Sequence, residues 1–100
     1  MQTTINETGN NILVKLHGDL DTAAAQAIEK TFQPLLESKN KDITIDCEDL
    51  NYISSSGLRL FLSLLKSCKS NGSTLTLENM NDNIKRVFTM TGFSSLFNIK

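Results

Sequence analysis

Three stretches of this chain alternate apolar and polar residues with a period of two, and the stretches between them repeat their apolar residues at helical spacing. Ile12, Val14 and Leu16 alternate with Leu13, Lys15 and His17; Ile43, Ile45 and Cys47 alternate with Thr44 and Asp46; Leu75 and Leu77 share one phase of Ser73–Glu78. The spacing predicts strands over 11–17, 42–47 and 73–78. Strands separated by helices cannot pair as hairpins, so right-handed crossovers and a partly parallel sheet follow. Parallel strands buried on both faces read as unbroken apolar runs. These alternate, so one sheet face is expected under helices and the other wetter.

The remaining elements fit around that frame. Thr8-Gly9-Asn10-Asn11 tolerates positive φ, so Gln2–Glu7 is expected to pair with the 11–17 strand as an antiparallel hairpin. Gly18-Asp19-Leu20-Asp21-Thr22 breaks the alternation, and Asp21 or Thr22 can accept the free amides of a helix that opens on three alanines. That helix is expected over 22–38, with Ala24, Ile28, Phe32, Leu35 and Leu36 inward and Ala25 beside them. Pro34 removes an interior hydrogen bond and disfavours helical geometry at Gln33, which predicts a kink or an early end. A second helix follows Ser54-Ser55-Ser56, with Leu58, Phe61, Leu62, Leu65 and Cys68 inward, Arg59, Ser63, Lys66 and Ser67 outward, and Leu60 and Leu64 widening the apolar arc toward a neighbouring helix. After a turn at Asn71-Gly72 and the 73–78 strand, a helix over 82–91 carries Ile84, Val87 and Phe88, capped by Asn81 or Asp82 and stopped at Thr91-Gly92. A tail with Phe93, Leu96, Phe97 and Ile99 is apolar enough to dock back. The expectation is one α/β domain over 1–100: a mixed four- to five-stranded sheet, its first pair antiparallel, with helices mainly on one face.

The chain's 100 residues suffice for one core without staples. Cys47 and Cys68 sit in apolar segments with no metal or redox spacing and read as buried thiols of a reducing compartment. With 10 basic and 11 acidic residues interspersed, no basic stripe invites nucleic acid. There is neither a leader-like N-terminus nor a membrane span, so the expected location is the cytoplasm. Met1 and the full set of elements point to a whole small protein.

The serine block admits two readings. A hydroxyl before a helix caps a free backbone amide, which needs only one serine. The same helix start, with free N–H groups and positive dipole, also tolerates a phosphate or an oxyanion, and Gly57 is expected to clear space around the hydroxyls. Serine hydrolysis lacks its inventory: no G-x-S-x-G elbow is present, and the one histidine, His17, ends a strand. Asp19 and Asp21 have no further ligands at metal spacing and read as turn and cap residues rather than a Mg²⁺ site. No phosphate-cradling G-x-x-x-x-G-K-[ST] sequence occurs. No catalytic residue, metal or cofactor is assigned.

The ordered segments Gly18-Asp19-Leu20-Asp21-Thr22, Ile43-Thr44-Ile45-Asp46, Asp49-Leu50-Asn51-Tyr52-Ile53-Ser54-Ser55-Ser56-Gly57-Leu58, Leu75-Thr76-Leu77-Glu78-Asn79 and Val87-Phe88 to Phe93 resemble the STAS family, whose founding members are bacterial anti-sigma factor antagonists. The family's usual Asp-Ser-Ser-Gly or Asp-Ser-Thr-Gly tetrad falls on Ser54-Ser55-Ser56-Gly57. The resemblance implies that Ser55 is the phosphoacceptor, with Ser54 and Ser56 as secondary candidates. Ser54 replaces the usual Asp and so removes a negative charge beside it. It further implies an anti-sigma factor that is also a serine kinase as partner, a serine phosphatase to reset the switch, a monomeric free state, and a docking surface of Asp19, Asp21, Thr22, Ser54, Ser56, Gly57, Leu58 and Arg59. The alternative within the family is a STAS module without a phosphorylation role, a scaffold or a cytoplasmic subunit of a lipid-transport ABC complex.

Overall fold

The computed structural model describes residues 1–100 and contains five strands in a single sheet, with the spatial order equal to the chain order. Strands β1 (Gln2–Thr8) and β2 (Asn11–Leu20) form the antiparallel hairpin, whose turn has Gly9 at φ 60°. Helix α1 (Thr22–Glu37) then crosses to β3 (Asp42–Ile53), α2 (Ser55–Asn71) crosses to β4 (Thr74–Glu78), and α3 (Asp82–Met90) with a 3-10 turn (Phe93–Ser95) leads to the short β5 (Asn98–Ile99). From β2 onward every pairing is parallel. Each crossover steps one strand in the same direction, so a common right hand places all three helices on one face.

Burial follows that geometry. Ile12, Val14, Leu16, Ile43, Ile45, Cys47, Leu75 and Leu77 form the covered face, and Phe32, Phe61, Leu64, Ile84 and Phe88 descend onto it from the helices. The opposite face carries the exposed or half-buried Lys15, His17, Thr44 and Thr76. Phe61, Phe88 and Phe97 stack in series, with centroids 6.1 Å and 5.6 Å apart. The tail therefore docks through Phe97, with Phe93 and Ile99 packed beside it, whereas Leu96 was expected inward and is 47% exposed. Leu60 and Leu64 are buried where α2 meets α1, as the wide apolar arc requires.

Both buried thiols are free. Burial, with the nearby Asp46 charge adding to it, pushes the Cys47 thiol up to about 12, and burial also raises Cys68. Neither is poised as a thiolate.

Three boundaries differ from the sequence expectation. Strand β2 runs through Gly18, at φ 107°, and Asp19 to Leu20, which is buried in the core. Strand β3 runs six residues past Cys47, to Ile53. Its register against β2 shifts between Lys15 and His17 and again between Gly18 and Asp19, where β3 contributes an extra residue each time. Each bulge resets the phase, so Cys47, Leu50 and Ile53 all reach the core at a spacing of three. Helix α1 continues beyond Pro34 to Glu37. Burial of Leu35 favours that last turn, and its open carbonyls find donors: Asn71 Nδ2 bonds the Leu36 carbonyl at 2.9 Å and Ser38 Oγ the Pro34 carbonyl at 2.7 Å.

Candidate functional site

The carboxyl ends of β2, β3 and β4 lie on one rim, and a helix starts at each. Their N-caps are Asp21, Ser54 and Asn81, whose side chains accept the backbone N–H groups of Ala24 (2.8 Å), Gly57 (3.1 Å) and Ile84 (2.9 Å). Asp21, not Thr22, therefore takes the first cap, and Asn81 takes the third. Asn81 also donates to the Leu50 carbonyl at 3.1 Å, which holds the start of α3 against β3. The starts of α1 and α2 are joined by the Ser54 N–H, which donates to the Leu20 carbonyl at 2.8 Å.

The three serines have three different environments. Ser54 is 8% exposed and committed to its cap. Ser56 is half-buried, and its hydroxyl oxygen accepts a bond from Arg59 Nη2 at 3.2 Å. Ser55, the first residue of α2, is exposed, and its hydroxyl has no partner within the chain. The block thus contains one cap, one engaged hydroxyl and one free hydroxyl.

Gly57 has a different purpose from the one expected. A Cβ there would lie 2.9 Å from Ile53 Cγ1 and from Leu20 Cγ and Cδ2, so the missing side chain lets α2 sit directly on the strand ends. Gly57, Leu58 and Ser54 are all buried. Expected at the surface, they lie beneath it. Of the residues expected to dock, Asp19, Asp21, Thr22 and Arg59 are exposed and Ser56 is half-buried; Ser55, beside them, is exposed as well.

Asp19 stands opposite Tyr52 in the β2–β3 register, and Tyr52 is 52% exposed. Sequence reasoning missed this aromatic as a rim residue, because the two bulges in β3 hide the phase of the residues around it. An open groove of about 640 Å³ is lined by Asp19, Asp21, Ala23, Ala24 and Asn51 among others. His17 lies on the sheet, where Nδ1 meets Asp49 Oδ2 at 3.0 Å. The two carboxylates Asp19 and Asp21 are joined by no third metal-ligating group.

Comparison with known proteins agrees with this architecture. An anti-sigma-B factor antagonist of Bacillus subtilis is 30% identical over 95 residues, which cover 95% of this chain and 86% of that protein. A crystal structure of a candidate anti-sigma factor antagonist from Thermotoga maritima superposes with a TM-score of 0.87 at 22% identity, covering 97% of this chain and 84% of that one. The Bacillus protein SpoIIAA, solved in phosphorylated form, superposes with a TM-score of 0.75 at 20% identity, covering 99% and 91%. The model of the STAS domain matches residues 2–100, and the chain belongs to the STAS domain family.

Proposed function

We propose that this protein is an anti-sigma factor antagonist switched by phosphorylation of Ser55. The unphosphorylated protein, a monomer in the cytoplasm, docks the rim formed by Asp19, Asp21, Thr22 and the start of α2 on an anti-sigma factor and so frees the sigma factor. That partner, also a serine kinase, transfers the γ-phosphoryl group of ATP to Ser55 Oγ; the hydroxyl proton leaves to a base of the kinase and ADP departs. A serine phosphatase hydrolyses the phosphoserine and resets the cycle.

The single observation that carries this reading is the division of labour among the serines: only Ser55 offers an exposed, unengaged hydroxyl. The relatives support it through the antagonist named in Bacillus subtilis and the phosphorylated form of SpoIIAA. The physics is local. A phosphate adds about −1.5 to −2 charge, on a rim that already carries Asp19 and Asp21. Unfavourable charge at a docked surface costs several kcal/mol, and about 3 kcal/mol alone lowers affinity roughly a hundredfold. No refolding is required, because a helix start accepts added negative charge.

Calorimetry against the anti-sigma factor of the same organism tests the switch. Unmodified protein should bind, and protein carrying phosphoserine at position 55 should bind at least about tenfold more weakly. Equal affinities would contradict the reading.

A further inference from the structure

Arg59 is the only charged side chain between Ser55 and Leu65, and the first turn of α2 holds no acidic residue. Its guanidinium takes part in neither of the chain's two ion pairs, although Glu29 of α1 lines the same small groove as Ser56 and Arg59. Its present partner is the neutral Ser56 hydroxyl, at 3.2 Å. Residues three and four apart on a helix are neighbours, so Arg59 reaches position 55 as readily as position 56.

We propose that Arg59 is an internal phosphate clamp: when Ser55 is phosphorylated, the guanidinium leaves Ser56 and forks onto the phosphate. The proposal rests on the reading of Ser55 as the phosphoacceptor. Two observations and one chemical argument carry it. The spacing is i to i+4 with the acidic member N-terminal, the favoured orientation for a helical ion pair. A planar guanidinium matches phosphate oxygens bidentately, in bonds stronger than one to a neutral hydroxyl. Arg59 is exposed and holds no carboxylate, so no existing ion pair must break.

The clamp changes what the switch presents. Glu29 across the groove and Asp21 at the neighbouring helix start disfavour a second negative charge on the phosphate, whereas Arg59 favours it. With Arg59 in place the phosphate is more fully dianionic near neutral pH, and repulsion at the rim is correspondingly larger.

The test uses the full chain with phosphoserine installed at position 55 and follows the second ionisation of the phosphate by ³¹P NMR. The midpoint in the protein with Arg59 should lie below that of Arg59→Gln by about half a unit, the shift an exposed ion pair supports. Arg59→Lys, which keeps charge but not the fork, should fall between them. Ser56→Ala, which removes the present partner of Arg59, should keep the low midpoint. Identical midpoints with Arg59 and Gln, or loss of the low midpoint in Ser56→Ala, overturns the clamp. A lowered midpoint together with unchanged partner affinity confirms the clamp and sinks the switch reading instead, so the two failures are distinguishable.

Discussion

The Ser54 N–H donates to the Leu20 carbonyl at 2.8 Å, and this bond fixes the start of α2 beside the start of α1. Leu20 and Ile53 are register partners at the ends of β2 and β3, and both are buried. One residue beyond each strand comes a cap, Asp21 or Ser54, and then a helix whose first residue is exposed. Thr22 and Ser55 are thus presented by equivalent devices at the ends of adjacent strands.

Substitution of Gly57 tests how closely α2 is seated. Alanine is a better helix former than glycine by about 1 kcal/mol, yet its Cβ would press on Leu20 and Ile53 at 2.9 Å. Both are packed in the core, so overpacking at about 1 to 3 kcal/mol should outweigh the gain. Gly57→Ala is expected to lower stability in urea unfolding; an unchanged or raised midpoint would contradict the close approach.

The three serines should separate by stability. Ser54→Ala loses the cap and should cost about 1 kcal/mol. Ser54→Asp keeps a capping oxygen and adds negative charge at a helix start, so it should equal or exceed the natural protein by up to about 1 kcal/mol. Ser55→Ala should stay within about 0.5 kcal/mol, as expected for an exposed residue without a partner. Thermal melts of the three proteins check the order.

Asp21 combines a cap with a charge, and two substitutions divide them. Asp21→Asn retains the oxygen that accepts the Ala24 N–H and should melt close to the natural protein. Asp21→Lys loses the cap, at about 1 kcal/mol, and inverts the charge. If the rim docks electrostatically, binding to the anti-sigma factor should weaken in both, more in the lysine variant. Weakening that only tracked melting temperature would assign Asp21 a structural role alone.

The buried thiols give a pH dependence with a definite sign. The folded-state value of Cys47 is raised from 9.0 to about 12, so above pH 9 the unfolded chain binds fewer protons than the folded one. Stability from this group is intact below about pH 9 and declines as pH rises toward 12, with a slope of at most about 1.4 kcal/mol per pH unit. Cys47→Ala should flatten that decline in unfolding measured across this range. Both cysteines should resist a thiol reagent at pH 7 until the protein is unfolded.

Most of the fold was legible because period-two and helical spacings each held over whole elements. The ends of β2 and β3 were not, for one physical reason: bulges change the phase, so Leu50 and Ile53 no longer follow the alternation of Ile43, Ile45 and Cys47. That concealed the Asp19–Tyr52 pairing and the true setting of Gly57, which contacts across elements decide and local spacing cannot. The serine block itself carried the signal for a cap but not which serine takes it, and the expectation of Ser55 as phosphoacceptor came from the family resemblance. Only the packed rim separates a buried Ser54 from an exposed Ser55.

The central claim is that Ser55 alone is the phosphoacceptor. Phosphopeptide mapping after incubation of the protein with ATP and lysate of its native cells, with phosphatases inhibited, tests it most directly. The expected result is phosphate on Ser55, absent from Ser54 and Ser56 and lost in Ser55→Ala. Phosphate on Ser54 or Ser56, or none on the block in a lysate whose kinases modify other proteins, would contradict the account.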